Sequence, residues 1–282
     1  MKTTLVCPDC RILLKRTSKT YFCERCKEIY PVQKDIPILF DKLDIEIYRK
    51  SDNTPQAYYR RVAKSFGKDH HVDKPGGKLF VKEIEKKLKP FTKSDKKVLE
   101  VGAGTGFITQ VINKLNKKAV ITDSSLEMLL SNDEAKERSI VCCSMENLPF
   151  KEDSFDFVFG NNVLYLVPDK KRAAISLANV LKKGGKLIFS EMNPYLFFWP
   201  IMFTLKRRWF EASVYNIFPS QVMSDFKTAG LRLKTVDFYS FTPYFANQKL
   251  MKFCKIIEKI VGDNIFLRRL LTIRVMYILE KS

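Results

Sequence analysis

Two groups of residues have types and spacings that imply chemistry. The first is a pair of knuckles, Cys7-Pro-Asp-Cys10 and Cys23-Glu-Arg-Cys26, twelve residues apart. Each CxxC turns two thiolates toward one point, and two such turns complete the four-sulfur tetrahedron that suits structural zinc. Four thiolates leave no open position on the ion, so Cys7, Cys10, Cys23 and Cys26 are expected to support folding and not catalysis. Paired disulfides and a redox CxxC are the competing readings. A reducing compartment disfavours the first, and the paired arrangement disfavours the second. The second group is Glu100-Val101-Gly102-Ala103-Gly104-Thr105-Gly106, followed by Asp123. Glycines let a backbone turn sharply and approach a ligand closely. Asp123 can accept hydrogen bonds from both hydroxyls of a ribose, and Glu100 can accept them from a ligand or from the loop amides. No side chain stands out as a general acid or base, so catalytic residues stay unassigned. The two histidines, His70 and His71, read as loop residues near Pro75-Gly76-Gly77, and Tyr165 reads as a packing residue.

These residues need elements to position them. Residues 97–101 (KVLEV) form a short apolar run that predicts a strand ending at the glycines. Residues 107–115 have helical spacing, and 118–122 predict the next strand, with Asp123 at its tip. This is a βαβ unit with its glycine-rich turn at the carboxyl end of the first strand. Further on, 168–181 predict a helix stopped at Gly184-Gly185, 186–192 a strand, 219–230 a helix, and 231–241 and 272–281 two more strands. Before the unit, Tyr21-Phe22 reads as strand, and 28–40 continues the small ribbon. The basic stretch 82–89 reads as a helix end stopped at Pro90.

The combination of Glu100 to Gly106, Asp123, Glu146-Asn-Leu-Pro-Phe150 and Ser154-Phe-Asp-Phe-Val158 resembles class I S-adenosylmethionine (SAM)-dependent methyltransferases, over about residues 95–193. That resemblance implies an α/β, Rossmann-like, seven-stranded, mostly parallel sheet with helices on both faces and an antiparallel last strand. It also implies a site for SAM. Glu100, Gly102, Ala103, Gly104 and Gly106 would hold the methionine part, and Asp123 with Ser124 the ribose. Ser144, Met145 and Glu146 would flank the adenine, with Asn161 near the methyl end. Ser144 stands where the family commonly has Asp, which removes charge assistance from that contact. Residues 5–40, with Tyr30-Pro31-Val32 and Ile36-Pro37-Ile38-Leu39, resemble the zinc-ribbon family of small methyltransferase activator subunits. Asp35 occupies the position where that family usually has Gly. The resemblance implies a docking or stabilising module. The expected organisation is a ribbon over 1–40, a linker with helices over 41–95, and a methyltransferase domain over 96–282 with lid-like inserts at 194–218 and 242–271.

Lys and Arg total 50 against 31 Asp and Glu, a formal charge of +19, which favours anionic partners. Hydrophobic residues make up 45% of the chain, so a sizeable core is available. No signal-like leader and no bilayer-length apolar window is present, which predicts a cytoplasmic protein with reduced thiols. Cys142, Cys143 and Cys254 are expected to be buried. The insert 194–218 is aromatic and apolar and includes Lys206-Arg207-Arg208 and Trp209. The stretch 249–261 places Leu250, Phe253, Cys254, Ile257, Ile260 and Val261 on one helical face and Lys249, Lys252, Lys255 and Lys259 elsewhere. Two expectations follow from the inserts. Either they fold over the sheet as a lid, or they rest peripherally on the anionic inner surface of a membrane. The leading reading is methyl transfer to a small-molecule or lipid-linked acceptor. One alternative is an RNA base methyltransferase that uses ribbon and charge to bind rRNA or tRNA. A second is a non-catalytic scaffold that has kept the SAM fold.

Overall fold

The computed structural model describes residues 4–46, 48, 57–63, 74–135, 138–197 and 219–282. His70, His71, the 51–56 break and most of the 194–218 insert lie outside these residues. Five strands form the parallel centre of the sheet: β5 (Val98–Val101), β6 (Val120–Asp123), β7 (Ser139–Cys143), β8 (Phe155–Asn161) and β9 (Leu181–Met192). They stand in the order β7-β6-β5-β8-β9. β11 (Arg274–Lys281) then inserts antiparallel between β9 and β10 (Leu231–Tyr239). Strand β5 is buried at every position, as expected where helices cover both faces of a parallel sheet. The order reverses beside β5, which places a crevice at the carboxyl ends of β5 and β8.

The ribbon continues this same sheet. Its strands β1 (Lys15–Arg16), β2 (Thr20–Phe22), β3 (Ile29–Gln33) and β4 (Ile36–Leu39) pair antiparallel in sequence. β4 then pairs parallel to β7, with Ile38 opposite Cys142 and Leu39 opposite Cys143. All four residues of β4 are buried, so this strand is sheet interior and not a ribbon edge. Lys34 and Asp35, the two residues between β3 and β4, both have left-handed φ (+47° and +63°), the conformation of a tight two-residue hairpin. Asp35 therefore takes a backbone shape that glycine adopts at less cost.

Helix α1 (Lys42–Ile45) is capped by Asp41, whose carboxylate accepts from the Asp44 N–H. Residues 57–63 are helical. Helix α2 (Pro75–Leu88) opens on Pro75, which suits the first turn of a helix. Gly76 is required there because a Cβ would lie 2.1 Å from the Pro243 carbonyl oxygen. Around the sheet, α3 (Thr109–Leu115), α4 (Leu126–Leu130), α5 (Lys170–Val180) and α6 (Pro219–Thr228) complete the layers. α5 ends at Val180, and β9 begins with the next residue. Gly184 and Gly185 thus fall inside the strand and do not stop the helix; the register against β8 shifts across them, between Leu181 and Lys186. The last helices are α7 (Gln248–Val261) and α8 (Ile265–Leu271). Cys142, Cys143 and Cys254 are buried thiols, as expected. No helix among the described residues is long and apolar enough to cross a membrane.

Candidate functional site

The turn after β5 is built by steric necessity. Gly102 has φ +67°, and a Cβ on it would lie 2.2 Å from Val163 Cγ2, so glycine is required on two counts. A Cβ on Gly106 would meet Asn132 Oδ1 at 2.2 Å. Gly104 differs: its φ is +54°, but nothing lies within 4 Å of where a Cβ would be. Packing therefore does not demand glycine at 104, and the loop there faces open space of the kind a ligand fills.

Asp123, at the tip of β6, reaches back to this loop. Its Oδ2 accepts from the Gly104 N–H at 2.8 Å, and its Oδ1 accepts from the Ser125 N–H at 2.8 Å. The Ala103 N–H donates to the Thr122 carbonyl (3.0 Å), which closes the turn over β6. Burial raises the Asp123 carboxyl, opposed by these amide donors. Glu100 is more extreme. It is 2% exposed, Oε2 has no hydrogen-bond partner, and burial pushes it up to about 8. A buried acceptor without a partner is costly unless a ligand donor meets it. An ammonium group is the donor that would relieve it most.

Beyond β7, Ser144, Met145 and Glu146 form a buried turn. The Ser144 hydroxyl accepts from the Glu146 N–H (3.0 Å) and donates to Glu146 Oε2 (3.2 Å). Glu146 Oε1 accepts from the Asp169 N–H (2.8 Å), and Oε2 also accepts from the Tyr48 hydroxyl. Both side chains are thus occupied in holding the turn, and Met145 supplies its apolar surface. Ser124 contributes its carbonyl, 3.7 Å from Cys142 Sγ.

At the end of β8, Asn161 is not free in the crevice. Arg274 Nη2 donates to Asn161 Oδ1 and Nη1 to Asn162 Oδ1, both at 2.6 Å. Arg274 is fully buried and lies over the rings of Phe80 (4.9 Å) and Tyr244 (5.5 Å). Neighbouring Glu191 accepts from the Val163 and Leu164 N–H groups (3.1 and 3.0 Å), and burial outweighs these donors and the Arg274 charge to push it up to about 7. Tyr165 is more than a packing residue, since its hydroxyl lies 3.1 Å from that of Tyr59 on helical residues 57–63. Phe107, next to the glycines, stacks on Phe80 (5.8 Å, 10°) and meets Tyr244 edge-on (5.7 Å, 68°). Tyr59, Tyr244 and Arg274 were not singled out by sequence reading. The available signal was a charged residue at an inward position of an apolar strand, as Arg274 is in 272–281.

The four knuckle sulfurs lie within 4.8 Å of one another. A zinc ion with sulfurs at about 2.3 Å requires edges of about 3.8 Å, so the cluster fits with little movement. Each knuckle is followed by a left-handed residue, Arg11 (φ +60°) and Lys27 (φ +63°), whose N–H donates to the carbonyl of the first cysteine. The Tyr30 hydroxyl lies 3.2 Å from Cys7 Sγ and donates to Asp9. Arg11 ties the cluster to the domain: its guanidinium donates to the carbonyls of Leu148 (2.9 Å) and Phe150 (2.8 Å).

Comparison with known proteins places this geometry. Residues 99–189 match a family of proteins described as a methyltransferase domain. The ubiquinone/menaquinone biosynthesis C-methyltransferase of Wigglesworthia glossinidia brevipalpis is 34% identical over 116 residues, covering 38% of this chain and 46% of that protein. The malonyl-acyl-carrier-protein O-methyltransferase of Legionella pneumophila is 27% identical over 146 residues, covering 49% and 47%. Among solved structures, a chain of the complex between the Haloferax volcanii Trm112 methyltransferase activator and a methyltransferase shares the fold. Its TM-score is 0.54 at 16% identity, covering 79% of this chain and 97% of that one. The chain spans from about a quarter to just over half of the curated relatives it matches.

Proposed function

We propose that the chain, whose residues 99–189 match a methyltransferase domain, is a class I SAM-dependent enzyme that transfers a methyl group to a small-molecule or lipid-linked acceptor. Bound SAM supplies an electrophilic methyl on sulfur, and in-line transfer needs alignment more than acid-base groups. The chain's own residues would divide the binding. Glu100 takes the ammonium end, Asp123 the ribose hydroxyls, and Met145 one face of the adenine, while Ser144 and Glu146 keep that wall in place. Arg274 holds Asn161 and Asn162 at the methyl end as a positioning residue.

The observation that carries the acceptor class is aromatic. Tyr59 and Tyr165 meet hydroxyl to hydroxyl at 3.1 Å at the turn after β8, and Phe107, next to the glycine loop, meets Tyr244 edge-on. Rings and hydroxyls suit an apolar or ring-shaped acceptor carrying a small reactive group better than they suit a phosphate backbone. Two relatives are named for quinone biosynthesis and for malonyl-acyl-carrier protein, and the reading extends that class of acceptor to this chain. Tyr165→Ala is expected to leave SAM affinity within about twofold while lowering transfer about tenfold or more. Transfer to a prenylated quinol or a malonyl thioester probe, with SAM binding followed by calorimetry, measures both. Unchanged transfer in the variant, or loss confined to SAM binding, contradicts the reading.

We further propose that Cys7, Cys10, Cys23 and Cys26 hold one structural zinc ion, supported by the sulfur cluster and the matched knuckle turns. The zinc would contribute folding free energy, since a segment this short buries little core of its own.

A further inference from the structure

Sequence spacing placed one apolar face on α7, and the structure divides it. Cys254 and Val261 are buried, and Leu250 and Ile257 pack with them against Phe241 and Leu271. Phe253 and Ile260 do not join them. They are 58% and 78% exposed and, with Ile256 at 57%, form a second apolar stripe pointing outward. At 100° per residue this stripe occupies the sector beside the inward face. Lys252, Lys255 and Lys259 line its far edge. All three lysines, and Lys249 in the first turn, are exposed.

The stripe is not an isolated oddity. Of fifteen exposed large apolar side chains among the described residues, seven fall between Phe245 and Leu267, including Ile265 and Phe266 on α8 at 61% and 66%. Scattered exposed apolar residues need no explanation, but a concentration of this kind marks a contact surface. The segment is also held firmly from within. Arg268 and Arg269 lie over the rings of Phe241 (5.6 Å) and Tyr195 (3.7 Å), and Asn193 donates to the carbonyls of Arg269 and Thr272. A helix anchored this way presents its outer stripe as a fixed feature.

From this geometry we infer that the outer face of α7 and α8 is a docking surface for an anionic lipid bilayer. Charge chooses the occupant. Between 245 and 267 the chain carries four lysines against Glu258 and Asp263, so a second copy on this face would bring basic against basic. A bilayer with acidic headgroups offers the complementary charge and the apolar medium in one plane. Phe253, Ile256, Ile260, Ile265 and Phe266 would enter the headgroup boundary, with the lysine row reaching the phosphates. The surface begins one residue from the site. Phe245 is 55% exposed, while its neighbour Tyr244 faces Phe107 and Arg274. Docking would bring the acceptor side of the crevice to the lipid. That last consequence rests on the methyl-transfer reading, whereas the surface itself does not.

The test is co-sedimentation of the full chain with vesicles of phosphatidylcholine alone or mixed with phosphatidylglycerol, at low and high salt. Binding is expected only to the mixed vesicles, weakened by salt and reduced about tenfold or more in the double variant Phe253→Ser/Ile260→Ser. Both positions are exposed, so the variant is expected to melt with the parent and to keep SAM affinity. Three results would overturn the inference. They are no binding to mixed vesicles at low salt, undiminished binding by the variant, and a concentration-dependent dimer disrupted by the variant without vesicle binding. If SAM binding failed while vesicle binding persisted, the methyl-transfer reading would fall and the surface would stand.

Discussion

At the scale of single residues, the three glycines of the turn after β5 are not equivalent. Gly102 is enclosed by Val163, whereas Gly104 looks onto open space. Gly102→Ala must displace Val163 and hold alanine at a left-handed φ, so it is expected to lower stability by about 2–4 kcal/mol. Gly104→Ala bears only the conformational part, about 1–2 kcal/mol. It should fold but lose SAM affinity, because its methyl fills the space proposed for the cofactor. Thermal melts paired with calorimetry separate the two, and equal losses of stability would contradict this division. Glu100 makes a prediction in pH. Its carboxyl, pushed up to about 8 by burial, is held protonated in the free protein. The stability it contributes is complete below the usual carboxylate range and is lost as pH rises through about 8. An ammonium group beside it favours the charged form, so SAM binding near neutral pH should release a proton. Calorimetry in buffers of contrasting ionisation enthalpy reads that release, and Glu100→Gln should remove it. The glycines and both acids were legible in the sequence because chemistry restricts residue type there. Arg274 was not, because its partners Asn161 and Asn162 lie more than a hundred residues away in sequence.

At the scale of elements, the ribbon joins the sheet through β4 on β7 and reaches the cofactor wall through a short set of hydrogen bonds. Val6 donates to the Pro149 carbonyl, Asn147 to the Pro8 carbonyl, and Arg11 to the carbonyls of Leu148 and Phe150. Arg11 takes its left-handed shape at the end of the first knuckle, so its side chain links the four-sulfur cluster to the 144–150 turn. On the opposite flank Arg172 pairs with Asp41 and Asp44, below the same turn. Burial pushes the Asp44 carboxyl up to about 7. Arg11→Ala is expected to weaken SAM binding about threefold to tenfold with the zinc retained, since it removes donors to two carbonyls. Elemental analysis and calorimetry on the same sample check this. Unaltered affinity would make the ribbon a passive appendage. The knuckles were readable from spacing. The docking of β4 on β7 was not, because a parallel pairing across about a hundred residues leaves no local period. Its one trace is the unbroken apolar run Ile36 to Leu39, a pattern of strands covered on both faces.

At the scale of the whole molecule, β5, β6 and β9 were readable from their own apolar runs, while β7 and β8 entered only with the family resemblance. The switch to an antiparallel last strand came from the family resemblance and is borne out by β11. The inserts were only half legible. Helical spacing located α7 but could not show which apolar residues found partners, since that depends on Phe241 and Leu271. The net charge of +19 is compatible with RNA or with lipid, so composition alone does not choose between them. The most direct measurement is to supply methyl-labelled SAM to the purified chain with a complete cell extract, then separate organic-soluble, small-molecule, RNA and protein fractions. We expect label in the organic-soluble or small-molecule fraction, lost in Gly104→Ala. Label in RNA, or in protein other than on a carrier-bound thioester, would contradict the acceptor class proposed here, and label in no fraction despite saturable SAM binding would contradict methyl transfer itself.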